Sequence, residues 1–346
     1  MIGIVEGFFG PQWSKEARID YASFLKNAGG DFYIYAPKQD GNLRKNWREE
    51  WSEEYLSYIK SLVDLYHQHG LLFGVALSPF GLDQKLDEEN RKVLSRKMEQ
   101  LNHLGIDLLG VFFDDMHSYE LLAEVQIEVV SFLKTKFTKK IIFCPTYYTP
   151  DPILEKVFGK MPEGYLTKIA DGIPLDVEIA WTGPKVISSE IGLEHMREVE
   201  ALLKRKPFIW ENLFANDGPK NCKFLKLKAF DGREKEIMNH TSGYAFNLMN
   251  QPYLSEIAFL ASVLTLKGQK PEEAYKTAIG ELCSPLLVDF ILEHDQSFLK
   301  EGLDQLTAEK KNALITILEE MYEPQAKDIR DWLRGDYLVG SECLTD

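Results

Sequence analysis

The sequence is short of cysteine, of positive charge and of long apolar runs, and each shortage removes a class of function. The four cysteines, Cys144, Cys222, Cys283 and Cys343, are widely scattered and none falls in a CxxC pair. That suits free thiols in a reducing compartment better than a disulfide framework or a zinc site. Lys and Arg number 40 against 54 Asp and Glu, for a net charge of -14. A nucleic-acid partner, which needs clustered cations, is therefore not expected. No apolar run approaches the roughly 18 residues of a membrane-spanning helix. The opening stretch "MIGIVEGFFG" acquires Glu6 too early for a signal-peptide core. The expectation is a cytoplasmic protein with neither membrane nor nucleic acid as a partner.

What the chain does have is a recurring apolar run, eight times over. The runs are "GIVEGFF" (3–9), "DFYIYAPK" (31–38), "LLFGVALSP" (71–79), "LLGVFFDD" (108–115), "KIIFCPTYY" (140–148), "DVEIAWTG" (176–183), "PFIWENL" (207–213) and "SGYAFNLM" (242–249). Near-continuous apolar runs are expected of parallel strands buried on both faces. Several intervals between them read as helices. Ser52 is placed to cap one, with Tyr55, Ile59, Leu62, Val63 and Tyr66 as its stripe and Gly70 as its stop. Leu94, Met98 and Leu101 make a second stripe before Gly105, and Leu121, Leu122, Val125 and Val129 a third.

Eight strand–helix units point to an α/β fold, a (β/α)8 TIM barrel over residues 1–268. A doubly wound sheet is the alternative, but no GxGxxG follows the first strand. Beyond Pro271 the strand signal stops. Leu306, Ala313, Leu314, Ile317, Leu318 and Met321 then mark an amphipathic helix. Residues 269–346 read as a small C-terminal helical appendage, packed on the barrel or on a partner. A homodimer through these helices is one such arrangement.

Barrel chemistry lies at the C-terminal ends of the strands. That rule selects Gly7, Lys38, Asp114 with Asp115, Tyr148, Trp210 with Asn212, and Asn247, with Asp217 just beyond the seventh strand. Acids, amides and aromatics at one mouth suit a neutral polyhydroxylated ligand. Each member also has an ordinary reading. Lys38 could be a solvated strand end, Trp210 core filler, and Tyr148 or Asn247 alone a structural residue. His117 reads as a helix-start residue. His67 and His69, two apart on a helix, face different ways and make a poor metal pair.

Asp114 and Asp115 are harder to dismiss, because "VFFDDMHS" ends a core strand with two acids and no adjacent base. Buried carboxylates cost free energy unless a charge, hydrogen bonds or a ligand compensates. Retaining glycosidases usually place two carboxyls about 5 Å apart across the scissile bond, which neighbours on one strand do not obviously do. Substrate-assisted glycosidases are the exception. There the 2-acetamido oxygen of the sugar attacks C1, one acid handles the acetamido N–H and the other protonates the leaving oxygen.

The motifs "GIVEGFFG", "YIYAPK", "FDD", "FCPTYY", "WTGPKV", "IWENLFAND" and "FNLM" cover residues 1 to about 250. In this order they resemble the O-GlcNAcase family, the family 84 glycoside hydrolases that remove β-linked N-acetylglucosamine (GlcNAc). The resemblance implies a (β/α)8 barrel, Asp114 as the acid handling the acetamido group and Asp115 as general acid/base. It implies sugar contacts at Gly7 (through backbone), Lys38, Tyr148, Trp210, Asn212, Asp217 and Asn247, with no metal and no organic cofactor. The implied partner is a GlcNAc-bearing protein or glycan. Phe9, where many relatives carry Tyr, and Tyr147 depart from the pattern and bear on the region beyond the sugar. A non-catalytic binder of GlcNAc-modified protein is the rival from another class, though binding alone needs no general acid. Hyaluronan degradation is a third, disfavoured because an acidic chain repels a polyanion.

Overall fold

A computed structural model describes residues 1–82, 85–228 and 231–345. Among these, eight short strands pair in chain order and close on themselves: β1 (Ile2–Glu6), β2 (Phe32–Tyr35), β3 (Leu72–Leu77), β4 (Leu108–Phe112), β5 (Lys140–Cys144), β6 (Glu178–Trp181), β7 (Phe208–Glu211) and β8 (Gly243–Phe246). Every pairing is parallel, and β8 closes the barrel with Ile2 opposite Tyr244 and Ile4 opposite Phe246. Strand side chains are buried almost throughout, as a sheet walled inside and out requires.

The outer layer is α1 (Lys15–Asn27), α2 (Glu53–Gln68), α3 (Glu88–Leu104), α4 (Leu122–Lys134), α5 (Pro152–Phe158), α6 (Tyr165–Gly172), α7 (Leu193–Leu203) and α8 (Pro252–Leu266). Ser52 caps α2 by accepting from Tyr55 N, and Gly105 ends α3 in the left-handed region. One expected unit is not built as a helix. Between β7 and β8 the described residues form two 3-10 turns, Asn221–Lys223 and Lys235–His240. Gly218 and Pro219 interrupt any helical repeat there. Leu225, Leu227 and Ile237 bury themselves over the gap instead.

After the barrel come α9 (Pro271–Leu282), α10 (Pro285–Lys300), α11 (Gly302–Gln305), α12 (Ala308–Glu319) and α13 (Pro324–Arg334). They sit on the barrel, and α13 is tied in twice. Asp328 accepts from the backbone N–H groups of Tyr253 and Leu254, satisfying the N-terminus of α8. Trp332 Nε1 donates to the Cys222 carbonyl at 3.1 Å. The stripe expected on α12 is narrower than its spacing suggests. Leu314 and Leu318 are buried, but Ala313 faces solvent and Ile317 is 48% exposed. Leu306 and Met321 are buried just outside the helix. Among the described residues no helix is long and apolar enough to cross a membrane.

Candidate active site at the barrel mouth

Each strand stops pairing before its apolar run ends, and the leftover residues turn inward at the mouth. Gly7 directly follows β1, Lys38 lies three residues past β2, Asp114 and Asp115 follow β4, and Tyr148 follows β5. Trp210 is in β7, with Asn212 and Asp217 beyond it, and Asn247 follows β8. All nine line one cavity of about 560 Å³, together with Phe9, Cys144, Thr182, Val186 and Ile187.

The turn after β4 sets the two acids. Phe113 N donates to the Cys144 carbonyl at 2.9 Å, which ends the strand against its neighbour. Thr146 Oγ1 then donates to the Phe113 carbonyl at 2.7 Å. Asp115 takes a left-handed backbone, with φ of 56°. The chain thus turns sharply, and both carboxylates reach the same cavity. Lys38 compensates their charge. Its ammonium pairs with Asp114 Oδ2 and lies 3.5 Å from Asp115 Oδ2. Arg44 Nη2 donates to the Asp115 carbonyl at 3.2 Å.

The two acids are not equivalent. Burial raises the Asp115 carboxyl above its ordinary range; Lys38 and Arg44 pull it down and the Asp114 charge pushes it up. An acid that holds its proton longer suits proton donation. Asp114 is buried, with one oxygen on Lys38, while Oδ1 is buried without a hydrogen-bond donor. Among the described residues it is one of few such side-chain atoms. Burial would lower the Lys38 ammonium, and the Asp114 and Asp115 charges outweigh it, so Lys38 stays cationic.

The remaining wall is an amide relay. Gly7 N donates to Asn247 Oδ1 at 3.2 Å, Asn247 Nδ2 to Asn212 Oδ1 at 2.9 Å, and Asn212 Nδ2 to the Val186 carbonyl at 3.1 Å. This relay fixes the orientation of each amide. Asp217 accepts from Phe9 N at 2.9 Å, and burial raises its carboxyl. Trp210 stands edge-on to Phe112, with ring centroids 4.8 Å apart. Its indole lies so close to Gly7 that an added Cβ would meet Cζ2 at 2.5 Å. Glycine at position 7 is thus a packing requirement. Trp210 is core filler and cavity wall at once.

Three features escaped the sequence. Glu6, just before Gly7, is fully buried and takes a double hydrogen bond from Arg18 at 2.8 and 2.6 Å. Glu211, just before Asn212, is held the same way by Arg233, with both bonds at 2.9 Å, and by Tyr244 Oη at 2.6 Å. These pairs lock the backbone at two site positions. The acid before each site residue was visible, but its distant arginine was not. The third feature is that Cys343 and Thr345, far along the chain, also line the cavity. Two sequence readings are revised. Tyr147 points away from the rim, buried, with its hydroxyl on the Gly159 carbonyl and its ring against Tyr165. His117 starts no helix, since α4 begins at Leu122, and its ring packs on Phe158.

Known proteins resemble this chain in sequence and, in one solved case, in structure. The chain is 31% identical over 261 residues to the Protein O-GlcNAcase of Rattus norvegicus and to that of Mus musculus. That match covers 71% of this chain but only 28% of each relative's length. A solved structure of a mutant O-GlcNAc hydrolase from Thermobaculum terrenum superposes with a TM-score of 0.77 at 29% identity, covering 96% of this chain and 80% of that one. The family model described as beta-N-acetylglucosaminidase matches residues 2–289, from the first strand past the barrel. With a closed eight-stranded barrel and two acids at its mouth, this chain belongs to that family of glycoside hydrolases.

Proposed function

We propose that the protein is a retaining exo-β-N-acetylglucosaminidase that removes GlcNAc from Ser or Thr of modified proteins, or from related glycosides, by substrate-assisted catalysis. The observation that carries this reading is the asymmetry of the acid pair. Asp114 has one oxygen on Lys38 and the other buried and accepting nothing, a position suited to an acetamido N–H. Asp115, raised by burial, is suited to donate a proton.

In the first step the acetamido carbonyl oxygen attacks C1, and the bond from C1 to the leaving oxygen breaks. Asp115 gives that oxygen its proton, while Asp114 accepts a hydrogen bond from the acetamido N–H and stabilises the positive oxazolinium. Asp115, now ionised, takes a proton from water, the water oxygen bonds to C1 and the ring reopens. Two inversions at C1 give net retention. Trp210 supplies an apolar face for the sugar, and Asn212, Asp217 and Asn247 bond its hydroxyls.

Turnover of aryl β-GlcNAc with stepwise fluorination of the N-acetyl group tests the mechanism. Each fluorine weakens the carbonyl nucleophile, so the rate falls steadily if that oxygen attacks. Rates indifferent to fluorine, with a sugar trapped covalently on Asp114 or Asp115, would refute the mechanism.

A further inference from the structure

The segment after α13, residues 336–345, does not leave the molecule. Tyr337 Oη donates to Asp328 at 2.9 Å, and Val339 rests against Gly10, where an added Cβ would meet its side chain at 2.7 Å. The chain then crosses the barrel mouth. Cys343 and Thr345 line the cavity that holds Asp114, Trp210 and Asn247. Glu342 and Leu344 line a second, adjoining groove, walled by Arg44, Lys45, Phe80, His117 and Phe158.

Both hollows share Phe9, Lys38 and Asp115. A general acid must reach the glycosidic oxygen within hydrogen-bond distance. On the glycosidase reading, therefore, the sugar occupies the first hollow, the leaving group the second, and the scissile bond lies over the boundary at Asp115. Alternate residues of segment 342–345 border opposite hollows, so its backbone runs along that same boundary. In the adjoining groove Arg44 Nη1 is buried without an acceptor and Arg44 stacks on Phe80 at 5.2 Å, while Glu342 and Leu344, the latter 52% exposed, form the wall on the segment's side.

We infer that segment 341–345 stands as a partition between the sugar hollow and the leaving-group groove in the substrate-free protein, and that a substrate must displace this segment to bind. This rests on the glycosidase reading for the position of the scissile bond. When only a fraction of molecules is open, apparent affinity falls by that fraction. The segment therefore weakens substrate binding without changing the chemical step.

Two measurements on the full chain test this. In the first, Cys343 is alkylated by a short iodoacetamide pulse and read by peptide mapping. The pulse is given with and without a saturating stable sulfur analogue of the GlcNAc oxazoline. Inhibition of aryl-GlcNAc turnover by the analogue shows that it is bound. Displacement predicts that Cys343 labelling then rises, by about tenfold or more for a site opened from a mostly closed state. In the second, Glu342→Lys sets a cation against Arg44 and Lys45, and should lower KM for aryl GlcNAc about 3- to 10-fold at constant kcat. Labelling that stays level or falls under an inhibiting analogue, or an unchanged KM in Glu342→Lys, overturns the inference while leaving the glycosidase reading intact. An enzyme without turnover fails the glycosidase reading itself, and this inference falls with it.

Discussion

Replacing Lys38 by methionine would keep most of the side chain's bulk and remove the one ammonium that bridges both carboxylates. The effect on Asp115 can be scaled from its 3.5 Å separation. With an effective dielectric of about 20, a unit pair at that distance interacts by about 5 kcal/mol. Relaxation and water reduce this, and an opposite charge this close commonly moves a carboxyl by about 1–3 pKa units. Burial already holds Asp115 high, and Lys38 is the largest influence pulling it down. Its loss therefore raises Asp115 further. Because the first step needs Asp115 protonated, the basic limb of kcat/KM should move to higher pH by about one to three units. The assay is a pH profile on a GlcNAc glycoside with a poor leaving group, where proton donation matters. A basic limb that stays in place, or moves to lower pH, would refute both the assignment of Asp115 and the role given to Lys38.

Gly7→Ala should push its new Cβ against the Trp210 indole. It should cost about 1–3 kcal/mol of stability by overpacking and raise KM, read by urea unfolding and by steady-state kinetics on aryl GlcNAc. Glu256 and Asp328, buried between α8 and α13, are raised to about 8 and about 7, Glu256 by burial and then by Asp328, and Asp328 by burial. Raised folded values favour the protonated fold, so the contribution of this pair to stability is fully present at the unfolded carboxyl range of about 4 and below, and is lost as pH climbs towards 8. Glu256→Gln removes one of the two penalties. It should gain on the order of 2 kcal/mol over the parent at pH 8.5 and little at pH 4, a difference that urea melts at the two pH values will show.

The barrel was legible because parallel strands buried on both faces leave apolar runs that no amphipathic helix imitates. The runs overstated the strands at their C-terminal ends, and for a reason tied to function. In "DFYIYAPK" pairing stops at Tyr35, yet burial continues through Lys38, because the mouth is itself a packed, closed surface. The same overhang carries Asp114, Asp115 and Tyr148 into the cavity. Partners fixed only by tertiary register were beyond reading. Nothing near Arg18 or Arg233 in the chain shows that each clamps a glutamate beside a site residue. Nor does anything in "SECLTD" show that part of it lies in the barrel mouth. The stripe on α12 failed at Ile317 for the opposite reason. Periodicity names a face, but only packing decides how much of that face is covered.

The left-handed backbone at Asp115 sets stability and chemistry in competition at a single residue. An L-residue there is strained by roughly 1–2 kcal/mol, less for Asp or Asn, and glycine escapes the strain entirely. Glycine would also relieve the cost of a buried carboxyl. A lineage freed from the need for activity, and selected only to stay folded, would thus be expected to abandon the acid at 115 early. The acid at 114, whose Lys38 ammonium would be stranded by its loss, would go later. An acid surviving at 115 is therefore a better sign of an enzyme still in use than one surviving at 114.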